Sequence, residues 1–310
     1  MNFIRRITAT GMALSLGLTG CQFFRSAPPP AKTDALIKND SDEKPNAAKL
    51  VNYLNREADK IQSIRSRNVS FTVSPQGDNY SLDAKIICDK PRRFSLVGRS
   101  ALGTEVIAGS NEERFWFWIK RDPSNALFHC SYEDFEKGVD LPFPFQPEWV
   151  LEVLGMAPVG SADQFVLEED TLGKDRILRL TEQITFQGQP AKKVISMYRD
   201  NATGNAPQVF ERAIYDKSGK LITSAKIKEV HRLRSTSGRG DYPTTVIVPK
   251  YIVLDYPAFD TKLTLIIGDP QVNLPTDPSD FTLPRVGAKT VDLGKNGLPT
   301  SRKPPPRRDR

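Results

Sequence analysis

From Val69 to Gly268 the apolar residues recur at every second position, in short segments separated by turn residues. Period two is the spacing of a strand with one covered face, so this stretch must form sheet rather than helix. One group of segments runs through Val69–Val73, Tyr80–Cys88, Arg93–Gly98, Thr104–Gly109, Arg114–Lys120 and Ala126–Ser131. A second runs through Gln164–Glu168, Arg176–Phe186, Ala191–Arg199, Val209–Tyr215, Leu221–Val230, Thr244–Asp255 and Lys262–Gly268. The linkers are short and turn-like, as in Ser74-Pro-Gln-Gly-Asp-Asn79 and Asp216-Lys-Ser-Gly-Lys220, which selects antiparallel neighbours.

Two segments break the pattern. Ala47–Arg65 places Leu50, Leu54, Ala58, Ile61 and Ile64 at the 3–4 spacing of an amphipathic helix, with Pro45 and Asn46 at its start. Glu148–Gly155 reads as a short second helix with Pro147 at its first turn. The proline-rich Leu141–Pro147 cannot be a central strand. The fold class is therefore mainly β with two helices, an α+β arrangement built on one large, strongly curved antiparallel sheet.

The alternation is uneven. Leu221–Lys228 alternates cleanly, but Phe115-Trp-Phe-Trp-Ile119 is apolar throughout and needs cover on both faces. Either helices and loops fill the inner side, or Phe94, Leu96, Trp116, Trp118 and Met197 line an apolar cleft suited to acyl chains.

The ends of the chain differ from its body. The net charge is +7, but residues 1–21 carry +2 and residues 285–310 carry +6, which leaves −1 for residues 22–284. A near-neutral body argues against a folded nucleic-acid-binding face. Arg5 and Arg6 precede the uncharged run Ile7–Gly20, too short to span a bilayer but suited to a secretory signal. Its ending, Leu18-Thr-Gly-Cys21, resembles the bacterial lipobox. That resemblance implies cleavage between Gly20 and Cys21, a diacylglyceryl group on the Cys21 thiol and an N-acyl group on its amine. No other cofactor is implied. Several acyl chains hold a protein firmly at a membrane. Gln22, in place of Asp, favours the outer membrane.

The expected organisation is a signal peptide at 1–20, a lipidated cysteine with a flexible tether at 21–46, a domain at 47–284, and a disordered, basic, proline-rich tail at 285–310. The tail, ending in Lys303-Pro-Pro-Pro-Arg307, is suited to touch anionic headgroups or acidic envelope polymers. The expected location is the cell envelope, lipid-anchored and facing the periplasm.

Catalytic signatures are missing from the sequence: it has no Gly-x-Ser-x-Gly elbow, phosphate loop, dinucleotide fingerprint or His-Glu-x-x-His. His231 is flanked by cations, and the acidic clusters Glu112-Glu113, Glu133-Asp134 and Glu168–Asp170 read as solvated loops. Only His129 and His231 are available as imidazoles, and His129 and Cys130 point to opposite faces of one strand, so a zinc site is discarded. Cys88 and Cys130 read as unpaired thiols, although their number allows a disulfide.

The helix Leu50–Ile64 running into Val69-Ser-Phe71, then Lys90-Pro-Arg-Arg-Phe-Ser-Leu-Val97, Asn111-Glu-Glu-Arg-Phe-Trp-Phe-Trp118 and the closing Phe281-Thr-Leu-Pro284, resemble a known group. They are similar to the periplasmic lipoprotein carriers and outer-membrane lipoprotein receptors of the Lol type. The resemblance implies a half-closed antiparallel barrel wrapped around the N-terminal helix. It also implies a non-enzymatic role, binding lipid or lipoprotein acyl chains in an apolar concave cleft. The alternative is an envelope interaction or sensor lipoprotein with a filled interior and no lipid cargo. Asn111-Glu-Glu113 stands where the group carries Asp-Gly, and Val159–Arg179 is insertion-like.

Overall fold

The computed structural model describes residues 46–75, 79–139, 141, 147–186, 188–199, 208–235 and 244–296. The expected signal peptide, Cys21, the tether up to Pro45, the prolines at 142 and 144, and the tail from Gly297 lie outside these residues.

The first helix, α1 (Ala47–Asp59), starts where Asn46 accepts a hydrogen bond from the Ala48 amide through its side chain at 2.8 Å. Six strands follow in a meander: β1 (Ser63–Pro75), β2 (Tyr80–Asp89), β3 (Arg93–Ser100), β4 (Gly103–Ser110), β5 (Arg114–Ile119) and β6 (Ala126–Ser131). Two short helices, α2 (Tyr132–Glu136) and α3 (Pro147–Val153), lead to a second meander. It comprises β7 (Phe165–Leu172), β8 (Asp175–Phe186), β9 (Gln189–Tyr198), β10 (Gln208–Asp216), β11 (Leu221–Ser235), β12 (Thr244–Tyr256) and β13 (Thr261–Gly268). The short strands β14 (Gln271–Val272) and β15 (Lys289–Asp292) and the helix α4 (Leu293–Asn296) complete the described chain.

The two meanders join through β1 and β13 into one sheet, ordered β15-β6-β5-β4-β3-β2-β1-β13-β12-β11-β10-β9-β8-β7. It is a large, open, curved sheet in a mainly β, α+β fold. The chain leaves the first meander at β6 and enters the second at β7, on the opposite edge. The connection must therefore cross a face of the sheet, and it carries α3 over the inner one. Trp149, Leu151, Val153, Leu154 and Met156 are buried there among Ile64, Ile86, Phe94, Phe128, Val248 and Ile252. This crossing segment fills the main core. Helix α1 sits toward the β7–β9 end, where Leu50, Val51 and Leu54 pack on Phe165, Leu178, Leu180, Ile195 and Met197.

Two expectations need correcting. The helical spacing runs on to Ile64, yet α1 stops at Asp59 and Ile64 is a β1 residue paired with Cys88. Asn273 is the reason: its Nδ2 donates to the Lys60 carbonyl oxygen at 2.7 Å, and its Oδ1 accepts from the Gln62 amide at 2.7 Å. Second, residues 285–296 are not a free tail. β15 pairs in parallel with β6, so one edge of the sheet is covered by the chain's own C-terminal segment. α2, which the sequence reading passed over, is capped by Ser131, whose Oγ accepts from the Asp134 amide.

The apolar run of β5 is covered on both faces from Phe115 to Trp118, while Ile119 at its end is exposed. Phe115 and Phe117 face the main core. Trp116 and Trp118 pack with Leu127 on the outer side, under Ile107, Leu283, Val286 and Ala288.

Candidate functional site

The five residues expected to line one cleft are divided among three clusters. Phe94 and Leu96 lie in the main core, Trp116 and Trp118 lie on the outer side, and Met197 lies beneath α1. The strand period is the reason: with Phe115 and Phe117 inward, Trp116 and Trp118 must face outward. A single cleft formed by all five does not exist.

Among the described residues a groove lies elsewhere, between α1 and strands β10–β12. Tyr53, Leu54, Glu57 and Ala58 form the α1 wall, and Val153, Gly155 and Ala157 form the end that follows α3. The sheet contributes Gln208, Val209 and Arg212 from β10, Ile227 and Val230 from β11, and Ile247 and Pro249 from β12. Its cavity volume is about 90 Å³, and it opens to solvent. That is below the roughly 300–1,000 Å³ of small-molecule sites.

Irregular pairing builds the sheet wall of this groove. Val209 and Arg212 are three residues apart, which would set them on opposite faces of a regular strand. The β9–β10 register shifts between Val209 and Glu211, and both side chains reach the groove. Ile227 and Val230 repeat the device, because the β11–β12 register shifts on both sides of Glu229. Pro249 sits opposite Val230 and has no amide to donate to the ladder. At the far end Gly155 takes φ +74°, a left-handed conformation that lets the chain turn out of α3.

The lining is apolar except for four side chains, Tyr53, Glu57, Gln208 and Arg212. Gln208 is half-buried. Burial pushes the Tyr53 hydroxyl up to about 12, with the nearby Glu57 carboxylate adding to the effect, so it stays protonated. Arg212 is only 4% exposed. Burial lowers its pKa and the Glu152 carboxylate opposes that. The Glu152 carboxylate lies 3.8 Å from Nη1, beyond hydrogen-bond reach. The Arg212 Nε and Nη1 have no hydrogen-bond partner among the described residues. Behind Arg212 the charges continue inward. Lys193 lies 3.6 Å from Glu152 and 3.0 Å from Glu182.

Sequence reasoning missed Arg212. Its signal is parity: it shares the inward face of β10 with buried Ile214, a place where a cation is unusual. The other titratable candidates have structural partners. The His231 Nε2 donates to the Ile267 carbonyl oxygen at 2.6 Å. Glu169 and Asp170 pair with Arg176, Arg179 and Arg199. Glu112 pairs with Arg93, and Glu133 with Lys137. Cys88 and Cys130 are free, buried thiols. No group of three or more His, Cys, Asp or Glu among the described residues is placed to hold a metal ion. No helix among them is long and apolar enough to cross a membrane.

The sequence matches no protein-family model and no curated protein. Solved structures do match. A DUF1329 family protein from Desulfovibrio piger is similar at a TM-score of 0.50 and 10% identity, over 77% of this chain and 98% of that one. That similarity shows a shared fold. A putative outer membrane lipoprotein-sorting protein domain from Vibrio parahaemolyticus aligns at a TM-score of 0.47 and 11% identity, over 76% and 97% of the two chains. A LolA superfamily protein from Nitrosomonas europaea aligns at 0.46 and 11% identity, over 76% and 98%.

Proposed function

We propose that this chain is a non-enzymatic envelope lipoprotein that holds an acyl chain in the groove between α1 and β10–β12. The observation that carries the reading is the groove itself: an apolar trough, partly open to solvent and walled by an amphipathic helix. Tyr53, Leu54, Ala58, Val153, Val209, Ile227, Val230, Ile247 and Pro249 supply the surface that a hydrocarbon chain would remove from water. Burial of such a chain contributes about 0.8 kcal/mol per methylene. The Lol-type sequence resemblance and the lipobox support the same reading. On this reading the protein sits at the periplasmic face of the envelope, anchored through diacylglyceryl and N-acyl groups on Cys21, with the outer membrane favoured by Gln22.

The test is mass spectrometry of ligands carried by the Cys21→Ala full chain, purified from a periplasmic extract without detergent. A lipid bearing one or more acyl chains, present in near-stoichiometric amount and lost from a Val209→Trp variant, is the expected result. A clean ligand-free mass overturns the reading and favours the interaction or sensor alternative.

A further inference from the structure

A second apolar surface, sharing no residue with the groove, lies on the outer face of β4–β6. Ile107, Trp116, Trp118 and Leu127 form it, and the segment Thr282–Ala288 lies across it with Leu283, Val286 and Ala288 packed against the indoles. Trp116 is 2% exposed and Trp118 8%, whereas the three side chains that cover them are only half-buried. The segment is fixed at both ends. Before it, Asp280 pairs with Lys85 at 3.0 Å, and the carbonyl oxygen of buried Phe281 accepts from the Asn111 Nδ2 at 3.4 Å. After it, β15 pairs with β6 over four residues, and Val291 and Leu293 enter the main core. Between these anchors the hold is apolar alone: no backbone or side-chain group of Leu283–Gly287 makes a hydrogen bond among the described residues.

Lifting such a segment breaks no ladder bond, so it can part from the sheet at a cost below that of global unfolding. The chain also carries the joints for it. Gly287 takes φ +67°, a left-handed conformation open to glycine, and no atom lies within 4 Å of where its Cβ would be. Pro284 fixes its own φ, which stiffens the middle of the segment. Reburial of the two indoles opposes opening, since an aromatic side chain hides about 150–250 Å² on burial, and this keeps the closed form dominant. We propose that Thr282–Ala288 is a hinged strap that opens and closes over the outer face while Phe281 and β15 stay docked. Closed, it hides Trp116 and Trp118; open, it bares an apolar strip made of Ile107, both indoles and Leu127. This device is independent of the acyl-binding reading, because it uses the other apolar surface.

Hydrogen exchange of the indole N–H protons, followed by NMR on the purified Cys21→Ala full chain, tests it. The third tryptophan, Trp149, is buried in the main core and serves as the internal reference. The Trp116 and Trp118 indoles should exchange at least a hundredfold faster than Trp149, yet at least tenfold slower than a free indole. Urea below the unfolding transition should leave their rates nearly unchanged while it speeds Trp149. Val286→Ser, which weakens the strap's apolar hold, should speed Trp116 and Trp118 at least fivefold and leave Trp149 as it was. Rates no faster than that of Trp149 overturn the proposal, because the strap then parts only when the whole fold does. Rates equal to a free indole overturn it too, since there is then no closed form. So does an equal acceleration of all three indoles in Val286→Ser. If Val286→Ser does not fold, the urea dependence in the parent chain decides.

Discussion

The Lys193 ammonium stands 3.0 Å from the Glu182 carboxylate, with both side chains close to nine-tenths buried. Lys193 lies on β9 between Ala191, which belongs to the main core, and Ile195, which belongs to the cluster under α1. The pair, with Glu152 and Arg212, thus marks the seam between two apolar clusters. Breaking a buried ion pair on one side leaves an uncompensated charge and costs about 3–5 kcal/mol. Lys193→Met should destabilise the protein by about that amount in urea denaturation. Lys193→Met combined with Glu182→Leu should restore most of the loss, since no lone charge is then left at that position. A double variant no more stable than the single one would contradict this account.

Asn273 joins the end of α1 to the start of β1 through both atoms of its amide, and its Nδ2 also donates to the Ser235 hydroxyl at 3.0 Å. Asn273→Ala would leave the Lys60 carbonyl and the Gln62 amide without these partners. A cost of about 1–3 kcal/mol is expected. Hydrogen exchange should accelerate at Ile61 and Gln62 more than at β5. Uniform acceleration across the sheet would show that Asn273 has no particular hold on this junction.

These two residues show why some of the molecule is legible in its sequence and some is not. The strands are written locally: Leu82, Ala84, Ile86 and Cys88 alternate because one face of β2 is covered, and Phe115–Trp118 is apolar throughout because both faces of β5 are. The end of α1 is not written locally, because the residue that fixes it is 213 positions away. β15 is also hidden, since Lys289-Thr-Val-Asp292 is short, polar and paired in parallel with a strand of the other half. The groove is the least legible feature. It depends on register shifts at Val209/Glu211 and around Glu229, and period-two reading assigns Val209 and Arg212 to opposite faces.

Gly109 lies directly across from Trp116 in the β4–β5 ladder. A Cβ at that position would sit 2.8 Å from the indole Cε2, Cζ2 and Nε1 atoms. The ring is itself held under Leu283, Val286 and Ala288, so it has little room to yield. Gly109→Ala should therefore lower stability by about 1–3 kcal/mol, the usual range for overpacking. Its tryptophan emission should shift to the red as the C-terminal cover loosens. An unchanged urea midpoint would mean that the outer cluster adapts freely.

Cys21 governs membrane association in the proposed function. Cys21→Ala should yield a chain that keeps its N-terminal segment or is cut elsewhere, and that loses the mass of the acyl groups. The intact mass and membrane fractionation of the two forms check this directly. Identical mass and fractionation would show that no lipid is attached at Cys21.

Alkaline pH should weaken the fold through groups that burial keeps protonated. Burial pushes the Cys130 thiol up to about 11, with Asp134 and Asp292 adding to it, and pushes Tyr53 up to about 12. Cys88 is raised in the same direction by burial. In the unfolded chain a thiol titrates near about 8.5 and a phenol near about 10. Above those values the unfolded state releases protons that the folded state retains, so stability falls as pH rises. The contribution of Cys130 is whole below about pH 8.5 and is lost progressively toward pH 11, and that of Tyr53 is lost between about pH 10 and 12. Urea midpoints measured at pH 8 and pH 10.5 should show this decline. In Cys130→Ala the decline should be shallower over the same interval, because one of the retained protons is gone. A parallel decline in the variant would remove Cys130 from the cause.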